Sequence, residues 1–213
     1  MIVAIDGPAG SGKGTVAKII SKECNLTYID TGAMYRAIAY LTLKNNIDIN
    51  EREKIVELAQ ACKMNFLGDK LFLNGEDVSK VIRTMEVTKI VSPISSNIKL
   101  REILVNMQRE MAKGKDVIME GRDITTVVFP NANYKFYLDA DINVRAKRRY
   151  EENVLKGIET NYEEVLENIK KRDYNDTHKE IGSLMRTSDA IYIDSSNMTI
   201  DEVVSKMKEV INS

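Results

Sequence analysis

A short glycine-rich segment with one lysine has the residue types and spacing most typical of phosphate binding. Residues 7–15 read Gly-Pro-Ala-Gly-Ser-Gly-Lys-Gly-Thr, and in the Gly-x4-Gly-Lys pattern backbone N–H groups and the lysine surround phosphate oxygens. A glycine-rich turn without function is the alternative. The phosphate-binding interpretation is favoured because the segment follows an apolar, strand-like run and precedes an amphipathic helix pattern. The residues expected to bind nucleotide phosphates are Gly7, Pro8, Ala9, Gly10, Ser11, Gly12, Lys13, Gly14 and Thr15.

The residue after the lysine departs from the commonest form of such loops. A serine or threonine that ligates magnesium usually stands there. Here it is replaced by Gly14, and the hydroxyl comes one residue later, at Thr15. We therefore expect any Mg²⁺ to be held mainly by phosphate oxygens and water, with Thr15 as the candidate protein ligand.

Two further charged segments follow predicted strands. Residues 30–36 read Asp-Thr-Gly-Ala-Met-Tyr-Arg, and a hydroxyl and an arginine at a helix start suit a second anion. An ordinary helix cap with a solvated arginine is the alternative. Residues 120–123 read Glu-Gly-Arg-Asp and end a strand, which is where open parallel sheets place ligands. Both segments predict binding of a second, anionic substrate.

Three arginines share the spacing of one helix face. Arg145, Arg148 and Arg149 stand at i, i+3 and i+4, and like charges so placed repel each other. An anion bound between them would remove that repulsion, and arginines on a closing segment commonly neutralise the charge of a transferred phosphate. The alternative is a static helix whose arginines pair with Glu151 and Glu152.

Short apolar runs alternate with helical patterns along the chain. The runs lie at residues 2–5, 28–30, 117–119, 135–138 and 190–193, and Ile142 to Lys156 and Asn161 to Arg172 read as charged helices joined at Gly157. This alternation predicts an α/β fold, a five-stranded parallel sheet of the P-loop NTPase type with helices on both faces.

One stretch has a different period. Residues 64–67, 71–74 and 76–78 are brief runs separated by the turn signals Gly68-Asp69 and Asn74-Gly75. They predict a small antiparallel sheet inserted at about residues 63–80.

Further along the chain, we expect Pro93 to interrupt a helix, Gly114 to end the next one, and Thr199-x-x-Glu202 to form a capping box on the last.

Composition excludes some functions. The 213 residues carry 31 basic and 32 acidic side chains, so a broad basic surface for nucleic acid is not expected. Cys24 and Cys62 are too few for a disulfide framework and are expected to be reduced core residues. The sequence shows no secretory signal pattern and no apolar run of about 20 residues. We expect one cytoplasmic domain, residues 1–213, that is monomeric and has no membrane, nucleic-acid or obligatory protein partner.

Several motifs together resemble those of bacterial cytidylate (CMP) kinases. They are the glycine loop, the segment of residues 30–36, Ile82-Arg83-Thr84 with Glu86-Val87, residues 121–130 (Gly-Arg-Asp-Ile-Thr-Thr-Val-Val-Phe-Pro), residues 145–149, and Lys171-Arg172-Asp173 with Asp176. The resemblance covers essentially the whole chain, including the small inserted sheet. It implies a transferase of pyrimidine nucleotide metabolism that uses ATP and Mg²⁺ to phosphorylate CMP and dCMP.

The resemblance also implies roles for individual residues. Regions of about 31–110 and about 145–175 would be the monophosphate-binding region and a helical lid. The catalytic residues would be Lys13 and the lid arginines Arg148 and Arg149. Arg36 and Arg122 would bind the phosphate of the acceptor nucleotide. Its cytosine would be bound by Ser92, Arg101 and Asp123. Its ribose would be bound by Arg172 and Asp176, with Thr31 and Tyr35 as further contacts.

One position departs from the family pattern. Where an arginine is expected three residues after Asp176, this chain has Lys179, which keeps the charge but loses the bidentate fork. Lys179 is therefore left outside the predicted site, and the lone His178 is expected to be a surface residue. The alternatives left open are another P-loop small-molecule kinase, of the adenylate or shikimate type, and a nucleotide-dependent switch module.

Overall fold

The computed structural model describes residues 1–212. Its main sheet has five parallel strands in the order β2-β6-β1-β7-β8. The bounds of these strands are β1 Ile2–Asp6, β2 Thr27–Asp30, β6 Val117–Gly121, β7 Tyr134–Asp139 and β8 Ile191–Asp194. The five predicted strands are confirmed, with ends that differ by one or two residues. Because all five run parallel, their carboxyl ends meet at one edge of the sheet.

Helices cover both faces of this sheet, as predicted. On β1, Val3 and Ile5 pack into one apolar cluster with helices α1 and α8, whereas Ala4 joins a second cluster with α2 to α5. Successive strand residues point to opposite faces, so this short apolar run serves both cores. The helices are α1 Lys13–Glu23, α2 Thr31–Lys44, α3 Arg52–Ala61, α4 Met85–Ser95, α5 Ile98–Ala112, α6 Ile142–Leu155, α7 Tyr162–Thr177 and α8 Ile200–Ile211.

The small inserted sheet is also confirmed. Its antiparallel strands are β3 Met64–Leu67, β4 Lys70–Leu73 and β5 Glu76–Asp77. Gly68 has φ +61°, and Asn74 and Gly75 have φ +52° and +90°, the left-handed conformation that these turns require. The buried Leu71 and Leu73 of β4 belong to the same core cluster as α2 to α5, so the insert is fastened to the main body through its central strand.

Several helix boundaries differ from the prediction. Pro93 lies inside the last turn of α4, and this helix ends at Ser95, with Ser96 as its C-cap. The Asn97 side chain then caps the start of α5. Helix α7 continues to Thr177 instead of ending at Arg172, because Asp173 and Asp176 in the added turn have arginine partners elsewhere in the fold. The capping box of Thr199 and Glu202 on α8 is present as predicted.

Two of the remaining expectations concern single residues. Cys24 and Cys62 are free thiols, the first half-buried and the second buried, and His178 is exposed and stacks on Tyr174 with ring centroids 4.0 Å apart. In the described part of the chain, no helix has both the length and the apolar character needed to span a bilayer.

Candidate active site

The glycine-rich segment lies between β1 and α1, at the carboxyl edge of the sheet. It passes so close to β7 that a Cβ on Gly7 would overlap the carbonyl oxygen of Leu138. Gly10 and Gly12 have φ +79° and +92°, a conformation that glycine adopts without steric cost. The glycines therefore let the loop turn back over the start of α1, where free backbone N–H groups favour an anion.

The side chain of Lys13 is folded into this loop. It is 5% exposed, and its Nζ donates to the carbonyl oxygen of Pro8 at 2.7 Å and to Oγ of Ser11 at 3.3 Å. Burial, with repulsion from Arg122, lowers the pKa of Lys13 to about 7. A buried ammonium whose hydrogen-bond acceptors are neutral oxygens is stabilised further when an anion binds next to it.

Glu120 lies close to Gly14, the residue that follows the lysine. A Cβ on Gly14 would lie 3.1 Å from Oε1 of Glu120, so a side chain at this position would require the Glu120 carboxyl group to shift slightly. Burial and the nearby Asp30 raise the pKa of Glu120, and the hydroxyl of Tyr28 donates to its Oε1 at 3.3 Å. The Thr15 side chain, one residue further on, is exposed.

The start of α2 holds one arginine of the predicted acceptor site. Arg36 is 9% exposed and donates through Nη1 to Oγ1 of Thr88 at 2.8 Å. Burial lowers its pKa to about 10, and repulsion from Arg172 and Arg83 adds to this. The Thr31 hydroxyl donates to the carbonyl oxygen of Glu120 at 2.8 Å, so it ties α2 to β6.

A second group of charges surrounds Asp176 at the end of α7. Its Oδ2 accepts from Nε of Arg122 at 2.8 Å and lies 3.9 Å from Nε of Arg172, and its Oδ1 accepts from Nζ of Lys179 at 3.0 Å. Although burial alone would raise the pKa of Asp176, these three cations hold it well below its usual range. Desolvation and repulsion from Arg122 lower the pKa of Arg172. The carboxylate of Asp176 therefore lies near three cations, so these four side chains together carry more positive than negative charge.

The predicted base-recognition residues lie next to this group. Arg101 and Asp123 form a buried ion pair, and Nη1 of Arg101 donates to the carbonyl oxygen of Ser95 at 3.2 Å. The Arg101 guanidinium lies 5.7 Å from the ring centre of Tyr35. Within residues 1–212, Nε of Arg101 is buried without a hydrogen-bond partner, which is costly unless a ligand supplies an acceptor.

Ser92 is connected to the same region from α4. Its Oγ accepts from Nδ2 of Asn175 on α7 at 3.3 Å. Oγ of Ser95, one turn later, accepts from Nζ of Lys179 at 3.0 Å. The end of α4 and the end of α7 therefore meet beside the predicted base-recognition residues, although Ser92 and Asn175 are 83 residues apart in the chain.

The three α6 arginines do not converge on one position in this structure, and the prediction that they share an anion stays a prediction. Arg145 is buried and donates to the carbonyl oxygens of Ala140 and Ala9 and to Asp173. Arg148 donates to the carbonyl oxygen and hydroxyl of Ser195, at 2.6 and 3.1 Å. The three side chains diverge because each one binds a different partner. The partners of Arg145 and Arg148 lie on other elements, and that of Arg149 lies on the next turn of the same helix.

Arg149 has a surface partner but also lies near other cations. Its guanidinium bonds to Oε2 of Glu152 at 2.8 Å, which matches the surface pairing considered as the alternative. It also lies close enough to Arg36 and Arg172 to lower their pKa by repulsion. Arg149 therefore combines the surface pair with a position near Arg36 and Arg172.

Sequence reasoning missed two side chains at this site. Lys179 was left out because it lacks the arginine fork, yet it reaches both Asp176 and Ser95 and is 10% exposed. Arg83 donates to Oδ2 of Asp30 at 2.9 Å and adds to the positive charge around Arg36. The sequence did contain a signal for the contact of Lys179 with Asp176. The lysine stands three residues after the aspartate at the end of a helix, a spacing at which two side chains are neighbours.

Comparisons with known proteins show the family of this chain. The family model described as cytidylate kinase matches residues 3–213. A cytidylate kinase of Caldanaerobacter subterraneus subsp. tengcongensis is 50% identical over 209 residues, covering 98% of this chain and 93% of the relative. One of Clostridium acetobutylicum is 46% identical, covering 99% and 97%.

Solved structures add information about the fold alone. A shikimate kinase from Bacteroides thetaiotaomicron superimposes with a TM-score of 0.50 at 14% identity, covering 100% of this chain and 99% of the other. An uncharacterized protein from Eubacterium ventriosum gives a TM-score of 0.56 at 15% identity, covering 100% and 99%. The fold is that of the P-loop kinases, and by its sequence relatives the chain belongs to the cytidylate kinase family.

Proposed function

We propose that this enzyme transfers the γ-phosphate of ATP to CMP and dCMP, giving ADP with CDP or dCDP. The observation that carries the proposal is the pairing of two sites at one edge of the sheet. The glycine loop with the buried Lys13 lies on one side, and the arginine group around Asp176 lies on the other. The first fits a triphosphate and the second a monophosphate, which is the arrangement that an in-line transfer requires.

The donor side would act through electrostatic preorganisation. Backbone N–H groups within residues 7–15 are held by the fold before ATP arrives, and together with the ammonium of Lys13 they would stabilise the charge of the transferred phosphoryl group. Mg²⁺, when bound with ATP, would supply further charge neutralisation, held by phosphate oxygens, water and the exposed hydroxyl of Thr15. No cluster of three or more acidic, histidine or cysteine side chains that could hold a metal occurs in residues 1–212.

The acceptor side would orient a nucleophile that is already ionised. Arg36 and Arg122 are the arginines that we assign to the phosphate of CMP, and Arg172 and Asp176 are assigned to its ribose. The phosphate oxygen that attacks carries a negative charge at neutral pH, so a strong general base is not needed. Binding the dianion would relieve the repulsion that lowers the pKa of Arg36.

Cytosine would be selected by a complementary pattern of donors and acceptors. The carboxylate of Asp123 can accept from the cytosine N4 amino group, and Arg101, whose Nε has no partner in the described residues, can donate to N3 or O2. Uracil would place its O4 acceptor against the carboxylate and leave polar groups unpaired. Ser92 and Tyr35 complete the set of side chains assigned to the acceptor.

The remaining parts of the proposal concern the arrangement of the chain. We assign the monophosphate-binding region to about residues 31–110 and a mobile lid to about residues 145–175, within one domain. Arg149 lies beside the arginine group, whereas Arg148 would have to leave Ser195 to reach a phosphate.

A monomer that works in the cytoplasm, in pyrimidine nucleotide metabolism, fits these substrates. The similarity to shikimate kinase concerns the fold and does not favour that activity.

The first prediction tests Lys13. Lys13→Ala should lower kcat by at least about 10²–10³-fold, because one preorganised electrostatic contact in an active site is worth that much. Lys18→Ala is the matched control, because Lys18 lies on the same helix but is 36% exposed and pairs with Asp69 at 3.2 Å. Steady-state CDP formation by both folded variants is the measurement, and equal activities would contradict the assignment of the glycine loop.

The second prediction tests the acceptor. In a coupled assay of ADP release, the wild type should use CMP and dCMP in preference to UMP, AMP, GMP and shikimate. Asp123→Asn should reduce the ratio of kcat/KM for CMP to that for UMP, because the amide can turn its NH₂ towards the uracil O4. A wild type that phosphorylates AMP or GMP as efficiently as CMP would contradict the assigned base site.

The third prediction separates the two interpretations of Arg149. If Arg149 neutralises charge in the transition state, Arg149→Ala should lower kcat and kcat/KM together, with little change in the affinity for CMP. Glu152→Ala is the matched control, since it removes the same surface pair from the other side. If the arginine only pairs with Glu152, the two variants should have equal, near-wild-type kinetics, because exposed pairs contribute about 1 kcal/mol or less.

A further inference from the structure

The loop that follows α7, residues 178–184, is fastened at both ends to the same aspartate. Near its start, Nζ of Lys179 donates to Oδ1 of Asp176 and to Oγ of Ser95, both at 3.0 Å. At its end, the N–H of Leu184 donates to the carbonyl oxygen of Asp176 at 2.7 Å, and the Leu184 side chain is 6% exposed. The two anchors fix where the middle of the loop can lie.

Gly182, in the middle of this loop, lies directly against the base-recognition pair. A Cβ on Gly182 would come within 2.6 Å of Oδ2 of Asp123 and of Cζ of Arg101, and closer still to the terminal nitrogen Nη2 of Arg101. Its φ of +68° is in the left-handed region. Only a residue without a side chain can occupy this position while the two partners keep their places.

The atoms that a side chain would displace are those expected to bind the base. The side chains of Arg101 and Asp123 are only 6% and 9% exposed, and Arg101 is also held by the carbonyl oxygen of Ser95. The guanidinium is the flexible end of a long side chain, so it can move with little effect on the rest of the fold. Its displacement would nevertheless misalign a donor and an acceptor that must match one edge of a pyrimidine.

We propose that Gly182 is a positioning residue for base selection, whose bare backbone sets the relative placement of Arg101 and Asp123. The proposal rests on the function proposed above, because it assigns base recognition to that pair. Loop 178–184 then forms one wall of the base pocket. Lys179 contributes by anchoring this wall to α4 and α7, a role for which an ammonium is sufficient.

The experiment compares Gly182→Ala with Gly114→Ala. Gly114, which follows α5, has the same φ of +68°, and among the described residues nothing lies within 4 Å of the Cβ it would gain. Both variants therefore carry the same backbone strain, but only the alanine at position 182 presses on Arg101. The measurements are kcat, the KM for CMP and for ATP, the CMP-to-UMP ratio of kcat/KM, and the urea midpoint.

For Gly182→Ala we expect the KM for CMP to rise and the CMP-to-UMP ratio to fall, each by about tenfold, the scale of one mispaired polar group. The KM for ATP and kcat should stay within about twofold of the wild type, and the urea midpoint should fall at least as much as in Gly114→Ala, because the added Cβ also disturbs a buried ion pair. Gly114→Ala should keep the wild-type ratio. Equal CMP-to-UMP ratios in the two variants would overturn the proposal.

A second pair protects the test against loss of folding. Gly182→Asn and Gly114→Asn add the same Cβ, but asparagine tolerates the left-handed conformation better than alanine. If Gly182→Asn fails to fold while Gly114→Asn is stable, Gly182 has a structural role and the proposal is wrong. A wild type without preference for CMP would contradict the proposed function itself, whereas a CMP-selective wild type with an unaltered Gly182→Ala ratio would overturn only the role of Gly182.

Discussion

Repulsion among positive charges at one edge of the sheet is the constraint on which the rest of this structure depends. Lys13, Arg36, Arg122, Arg149 and Arg172 come together there, although the chain as a whole has a formal net charge of −1. Burial strengthens the repulsion because water no longer screens it. The pKa values of Lys13 and Arg36 are lowered, by burial first and then by neighbouring cations. An anion bound among these cations would remove part of the repulsion.

The fold provides the framework that holds these charges together. Two apolar clusters, one on each face of the sheet, stabilise five parallel strands whose carboxyl ends carry the site. Carboxylates then hold the cations in place without neutralising them. Asp176 binds Arg122 and Lys179 and approaches Arg172, and Asp30 binds Arg83. Removing Asp176 would leave two largely buried cations, Arg122 and Lys179, without their partner, which is far more destabilising than loss of an exposed pair.

Local patterns in the sequence were sufficient to predict the fold and to name most of the residues that the structure brings together at the candidate site. The glycine loop, the five apolar runs and the turn signals at Gly68 and Asn74 depend on residues close together in the chain, so their periodicity reports the structure directly. The arginines of α6 could not be assigned in this way. Arg145 and Arg148 have partners at Ala9 and Ser195, and contacts between distant elements leave no periodic trace in the sequence.

The same limit applies to the loop after α7. The importance of Lys179 follows from Ser95, which is 84 residues away, and that of Gly182 follows from its approach to Arg101 and Asp123. Both contacts require the ends of α4, α5, β6 and α7 to be placed together first. Glu120 was found as part of a motif, but its effect on Gly14 depends on the distance between β6 and the glycine loop.

The central claim is that the glycine loop and the arginine group form one continuous site for two nucleotides. A direct test is competition binding with a bisubstrate analogue in which adenosine and cytidine are joined by a chain of five phosphates. If the two sites are continuous, one analogue per chain should displace both ATP and CMP, and it should bind far more tightly than either nucleotide alone, since joining two ligands removes one association cost. Displacement of ATP with CMP binding left intact would contradict the claim.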